Sequence, residues 1–254
     1  MAPGITNRLL AAASAETRDA LLAAAEHVTL EPKHPMIQPE RPIENVYFIE
    51  TGVASMILGD TTRADQLIEV STTGPEGFVG VPLLLHAPVS TANVFVQIPV
   101  VAYRVPAESF KAAVAADPAF HNLLLRFAHA MLMQIAQVAT CNRIHNINER
   151  AARWLLMSRD RVDRDTFPLT QEFLAQMLGV RRQAVNATAG ELQEAGLINY
   201  SRGLITVVDR VGLERAACPC YGIIRDLFDR VFAVDGVPSA AEAGTEADAT
   251  AISI

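Results

Sequence analysis

The stretch that decides the fold is LTQEFLAQMLGVRRQAVNATAGELQEAGLINYSRGLITVVDRVGLERAA, residues 169–217. Thr170 stands where a helix N-cap belongs, and Phe173, Leu174 and Met177 recur at helical spacing, which predicts a helix over 171–178. Gly179 stops that helix, and Val180 is a single buried residue in the turn. A second helix is expected over 181–194, with Ala184, Val185, Thr188, Leu192 and Ala195 available for packing and Gly196 just past its end. Residues 197–200 and 204–208 read as two strands, with Ser201-Arg202-Gly203 as the tight turn between them. Asp209 caps a last helix that runs to 217.

Helix, glycine turn, helix and β-hairpin make a winged helix-turn-helix. The second helix opens with Arg181-Arg182-Gln183 and carries Asn186 one turn on. Arginine, glutamine and asparagine match the donor and acceptor pattern of guanine and adenine edges in the major groove. The first turn of a recognition helix is where such side chains read bases, and its dipole also favours phosphate there. The candidate DNA-contacting set is therefore Thr170, Gln171, Arg181, Arg182, Gln183, Asn186, Ser201 and Arg202.

Charge is distributed to match. The chain of 254 residues has a net charge of −7. Residues 141–217 nevertheless hold 11 arginines against 9 acidic groups, a net of +2, flanked by acidic blocks of −5 and −4. Half of the residues are hydrophobic, enough for a sizeable core, and no apolar run of about 20 residues announces a membrane span. Three cysteines cannot build a disulfide framework, which fits a reducing cytoplasm. No nucleophile–base–carboxylate set, zinc-protease motif or phosphate-binding glycine loop is present, so the sequence does not read as an enzyme.

Upstream, the period changes twice. A short helix is expected over 14–27, capped by Ser14. From 28 to 105, prolines and glycines punctuate short alternating runs at 46–49, 53–58, 66–70 and 94–105. In the last of these Val94, Val96, Ile98, Val100 and Ala102 share a face. Many short strands at this spacing predict an antiparallel β-roll of jelly-roll type over 14–116. Asp117-Pro118 then opens a long helix over 117–145. Leu124, Ala128, Met131, Ile135, Val138 and Asn142 step by 4 and 3 along it, a heptad seam suited to a homodimer, with a buried Asn142 fixing register. The winged unit occupies 146–217, and the tail 235–254, poor in large apolar residues, reads as disordered. The fold class is α+β.

The chain resembles the Crp/Fnr family of bacterial transcription regulators over residues 14–217. The residues that carry the resemblance are Val46-Tyr47-Phe48-Ile49 with Gly52, Gly74-Pro75-Glu76-Gly77, the long helix, and Leu169 to Ala175 through Gly196-Leu197-Ile198. The resemblance implies a cyclic-nucleotide-binding-like roll, a dimerisation helix, and a winged helix bound to double-stranded DNA as a homodimer. An activator of this family would also contact RNA polymerase. Arg182 matches the family's guanine-reading arginine, Gln183 stands where glutamate is usual, and Ala187 where a second arginine is common.

For an effector, the resemblance points to Glu76, Gly77, Ser90 and Thr91. Members that bind cyclic AMP pair its phosphate with an arginine in this region. Here Ser90 takes that position, and no cation lies between Arg63 and Arg104, so cyclic AMP is not expected to bind. An iron–sulfur centre would need more clustered thiols than Cys141, Cys218 and Cys220, and the scattered histidines read as surface or core residues rather than haem ligands. Cys218-Pro219-Cys220 would need further ligands to hold zinc, and a structural or incidental role is expected for it. No cofactor and no metal are expected. An alternative reading is a sensor that binds a nucleotide or another small ligand and whose winged helix contacts protein instead of DNA.

Overall fold

The computed structural model describes residues 4–59 and 67–233. The tail at 235–254 and Arg63 lie outside the described residues. Two short helices, α1 (Arg8–Ala12) and α2 (Ala15–Ala24), lead into the roll. Its strands are β1 (Glu26–Leu30), β2 (Pro35–Ile37), β3 (Asn45–Gly59), β4 (Leu67–Thr73), β5 (Phe78–Val79) and β6 (Asn93–Pro106), with helix α3 (Val81–Leu84) between the last two. The sheet order is β1-β6-β3-β4, with β2 added on β6 and β5 on β3, and every pairing is antiparallel. The two sequence runs 46–49 and 53–58 belong to one strand, β3, whose pairing with β6 shifts register around Thr51 and Val53. Such shifts bend a ladder and let one long hairpin curl into a roll.

The alternating face of β6 is the core face: Val94, Val96, Ile98, Val100 and Ala102 are all buried. Opposite them a cluster of phenylalanines fills the end of the roll. Phe78 lies 5.5 Å from Phe48, 5.4 Å from Phe110 and 5.4 Å from Phe127, centroid to centroid. Cutting any of these rings back to alanine costs about 3–5 kcal/mol. Helix α1 escapes the sequence reading because five residues carry almost no periodic signal. Its anchor is tertiary: the Asn7 side chain caps Leu10 and donates to the carbonyls of Ile49 and Gly77, both at 2.8 Å.

Helix α4 (Ala107–Ala116) closes the roll, and α5 (Pro118–Ile144) runs 27 residues along it. The Asp117 side chain accepts from the amides of Ala119 and Phe120, and Pro118 takes the first helical position, as the sequence predicts. The expectation that nothing here is long and apolar enough for a membrane needs correction. Pro118–Ile144 has that length, and a mean hydropathy of 1.2 over its most apolar 18 residues. Arg126 and Arg143 are its only arginines or lysines, and the reading by uninterrupted apolar runs overlooked it. Phe120, Leu123, Leu124 and Phe127 of this helix are buried in the core, while Leu125, Leu132, Met133 and Ile144 are exposed.

After α5 come α6 (Ile147–Val162), β7 (Thr166–Pro168), α7 (Gln171–Leu178), α8 (Arg182–Glu194), β8 (Ile198–Ser201), β9 (Leu204–Val207), α9 (Arg210–Ala216) and α10 (Cys220–Phe232). Asn146 and Glu149 form a reciprocal capping box at the start of α6. The wing is three-stranded, in the order β7-β9-β8, because Thr166–Pro168 adds to the predicted hairpin. Helix α10 lies beyond the segment assigned from sequence. It packs on α5, with Phe228 5.9 Å from Phe127 and the Arg126 guanidinium donating to the Val231 carbonyl.

Candidate nucleic-acid interface and effector site

The helix-turn-helix is built by local chemistry. The Thr170 hydroxyl accepts from the Phe173 amide at 3.1 Å, and left-handed Gly179 ends α7. Arg181 is the N-cap of α8, and its guanidinium, a donor only, makes no bond to the helix amides. Val185, Thr188, Ala189 and Leu192 face inward, while Arg181, Arg182, Gln183 and Asn186 are all exposed along the other face. The Thr188 hydroxyl donates to Asn148 at 2.6 Å and so holds α8 against α6. At the wing tip Ser201 pairs with Leu204 across the two residues Arg202 and Gly203. Both have positive φ, +52° and +78°, the geometry of a type I′ turn. Thr170, Ser201 and Arg202 are exposed and Gln171 is half-buried.

The basic balance of 141–217 is only partly a surface property. Arg150, Arg153 and Arg161 are buried, and Arg159 and Arg210 are paired with neighbouring carboxylates. Among the described residues, Arg181, Arg182 and Arg202 are exposed and make no ion pair, as are Arg143, Arg164 and Arg215, so the recognition helix and the wing tip hold three of the six free charges of this block.

The four effector candidates separate. Ser90 and Thr91 line a cavity of about 410 Å³ in the roll, together with Met56, Val81, Val94 and Met131 among others, and among the described residues no charged side chain lines it. Glu76 and Gly77 are not in its wall. Glu76 is buried and bonded to the Arg161 guanidinium of α6 at 2.7 Å, and it also accepts from the Gly74 amide. The backbone around it fits its neighbours closely. A Cβ on Gly77 would stand 2.2 Å from the Phe127 ring, and one on Gly74 2.5 Å from the Arg161 stem. The loop that resembles a phosphate cassette is thus closed by α5 and α6.

A model for the cyclic nucleotide-binding domain matches residues 27–117, and one for the Crp-like helix-turn-helix domain matches residues 149–216. The chain belongs to the Crp/Fnr family. It is a DNA-binding transcription regulator. FixK2 from Bradyrhizobium japonicum is 16% identical, covering 76% of this chain and 98% of its own, with a TM-score of 0.64. A Crp-family transcriptional regulator from Thermus thermophilus is 17% identical over 75% of this chain and 96% of its own, with a TM-score of 0.62. The c-di-GMP responsive global regulator CLP from Xanthomonas campestris is 15% identical over 77% of this chain and all of its own (100%), with a TM-score of 0.61. At these identities the likeness is one of fold. No curated protein matches the chain.

In this Crp/Fnr protein the roll and the winged unit meet across polar groups that sequence reasoning missed. Glu69 of β4 accepts from the Trp154 indole of α6 at 2.7 Å and from the Ser55 hydroxyl. Burial pushes the Glu69 carboxyl up to about 7, against those two hydrogen bonds. Gln134 of α5 donates to the Ser71 hydroxyl and the Thr72 carbonyl. Phe95 of the roll meets Phe173 of α7 edge to face at 6.1 Å.

The predicted dimer seam also divides. Leu124 and Val138 are buried in the chain's own core, which removes them from any open face. Ala128, Met131 and Ile135 are half-buried, Met131 and Ile135 lining the roll cavity, and Asn142 is exposed. The open large apolar side chains of the helix are Leu125, Leu132, Met133 and Ile144.

Sequence reasoning paired Cys218 with Cys220 alone. The fold adds Cys141, from the last turn of α5, and His145, the C-cap of that helix. The four ligand atoms all lie within 4.8 Å of one another. A signal was available in the C-x-x-x-H spacing of 141–145, which puts both side chains on one face of a helix. The Cys218 thiol and the Arg153 charge, opposed by burial, hold the Cys141 thiol below its usual range.

Proposed function

We propose that the protein is a homodimeric, sequence-specific regulator that binds an inverted repeat and is controlled by an uncharged, largely apolar signal in its roll. The observation that carries the DNA half is the row Arg181, Arg182, Gln183 and Asn186, exposed and without ion pairs on a helix whose opposite face is buried. Two such helices in a two-fold dimer stand about 34 Å apart, so half-site centres fall one helical turn apart. Arg182 and Gln183 are assigned to bases, and Arg181, Thr170 and Arg202 to phosphates, with Gln171 and Ser201 beside them. Contact with RNA polymerase belongs to the activator form of this reading, and a cytoplasmic location to both forms.

The dimer face assigned here is a heptad stripe of Leu125, Ala128, Leu132, Ile135, Ala139 and Asn142. It keeps Ala128, Ile135 and Asn142 of the seam read from sequence and turns the remainder by one residue, toward the side chains that the roll leaves open.

The uncharged wall of the cavity around Ser90 and Thr91 supports the signal half. A cyclic phosphate there would lose its hydration without gaining a cation from the described residues. Selection from random duplex DNA, followed by titration at several salt concentrations, tests the first half: an inverted repeat and a steep salt slope are expected. Salt-independent or absent binding would favour a winged helix that contacts protein. Calorimetry with cyclic AMP and cyclic GMP at millimolar concentration should show no heat, and micromolar binding of either would overturn the second half.

A further inference from the structure

We infer that Cys141, His145, Cys218 and Cys220 form a mononuclear tetrahedral site for a thiophilic divalent ion, zinc above all. It would be placed where the long helix hands over to the DNA-binding unit. The geometry is that of a ligand set. Cys141 Sγ lies 3.5 Å from Cys218 Sγ, and Cys220 Sγ lies 3.5 Å from His145 Nδ1. Zinc–sulfur arms of about 2.3 Å and a zinc–nitrogen arm of about 2.0 Å at tetrahedral angles put ligand atoms about 3.5–3.8 Å apart. These two edges fall in that range, and the other four are no longer than 4.8 Å. A cubane iron–sulfur cluster holds its thiolates farther apart than atoms that all lie within 4.8 Å of one another.

The surroundings fit the charge of such a centre. The three sulfurs are almost fully buried, at 0%, 2% and 1% exposure for Cys141, Cys218 and Cys220, while His145 is half-buried. No carboxylate belongs to the group, so the donors are soft and intermediate, the set that selects zinc over magnesium or calcium. Three thiolates and one divalent ion carry a net charge of −1. Two buried arginines face it: the charge of Arg150 bears on Cys141 and Cys218, and that of Arg153 on Cys141. The Nε atoms of both lack a hydrogen-bond partner among the described residues. Gln137, one turn before Cys141, donates to Cys220 Sγ at 3.1 Å, the kind of outer bond that orients a thiolate ligand.

The four ligands come from places that only the folded chain unites. Cys141 and His145 end α5, Cys220 begins α10, and the Cys218 amide donates to the Glu149 carbonyl in the first turn of α6. One ion would therefore pin the end of the dimer helix, the joint into α6 and the start of the C-terminal helix.

The test is metal analysis of full-length protein purified without chelator, then cobalt titration of the metal-stripped protein. About one zinc per chain is expected, and cobalt should give the intense visible bands of a tetrahedral ion with thiolate charge transfer in the near ultraviolet. Cys141→Ser and Cys220→Ser should each lose most of the metal. His145→Cys should keep it with a shifted cobalt spectrum, a variant that stays informative where a serine variant fails to fold. Three free thiols on a metal-free chain that takes up no cobalt would overturn the site. So would a Cys141–Cys218 disulfide in the purified protein, or full retention of metal by both serine variants.

Discussion

Arg202 occupies a conformation that arginine does not favour. At φ +52° its Cβ crowds the following carbonyl, at a cost of roughly 1–2 kcal/mol that asparagine or glycine would lower. The strained side chain is fully open at the tip of the wing, where a phosphate contact is assigned. Arg202→Asn should therefore raise the melting temperature while weakening every DNA sequence about equally and lowering the salt slope by about one. Arg182→Ala should behave differently, costing about 1–3 kcal/mol per half-site and relaxing specificity at one base position. Binding isotherms on selected and scrambled sites separate the two, and a change of selected motif in the Arg202 variant alone would reverse the assignment. Glu69 carries a pH dependence of definite sign. Its carboxyl is raised to about 7 from 4.5 by burial, so the folded chain keeps a proton that the unfolded chain releases between those values. The stability it brings is complete below about 4.5 and lost as pH rises toward 7, a range of about 3 kcal/mol at 1.36 kcal/mol per unit. Glu69→Gln should flatten that part of the profile in denaturant titrations. An unchanged slope would assign it to other groups.

At the scale of elements, the long helix shows what periodicity can and cannot decide. Leu124 and Leu125 are both apolar, and a period of 3.5 accommodates a stripe through either; only the roll, which covers Leu124 completely, selects the other. Leu125→Glu with Leu132→Glu should yield monomers by light scattering and abolish DNA binding, because neither side chain supports the core: they are 38% and 61% exposed. A dimer that survives the pair would place the interface elsewhere. The winged unit was legible because each boundary is written locally, in the Thr170 and Asp209 caps, the Gly179 stop and the Arg202-Gly203 turn. Strand β7 and helix α1 were not, since three or five residues carry little period, whereas α10 was overlooked although Tyr221, Ile224, Phe228 and Val231 recur at helical spacing. Distance along the chain hid the cysteine–histidine group, whose two halves lie 77 residues apart at Cys141 and Cys218. It also made the arginine-rich block look like surface, although the positions of Arg150, Arg153 and Arg161 inside are set by partners in other elements.

In the molecule as a whole, the sensor and the reader share a polar seam, and its strongest tie is Glu76 with Arg161. Both are buried, and the guanidinium also reaches the Thr72 hydroxyl at 3.0 Å and carbonyl at 3.3 Å. A loop that resembles a ligand cassette is thereby fastened to α6, the helix against which the recognition helix rests. A ligand that moves the loop would have to move α6 with it. Removing one member of a buried pair strands the other charge at about 3–5 kcal/mol, whereas replacing both with apolar groups of similar volume is often near neutral. Glu76→Ala alone should therefore lower stability by that amount and separate calorimetric unfolding into two transitions, the roll and the winged unit. Adding Arg161→Met should recover much of the loss, because the stranded charge is gone. The pair is then strongly coupled in a double-mutant cycle. Additive losses, with a single transition retained in every variant, would mean that the two units are joined by their apolar contacts and that Glu76 transmits nothing.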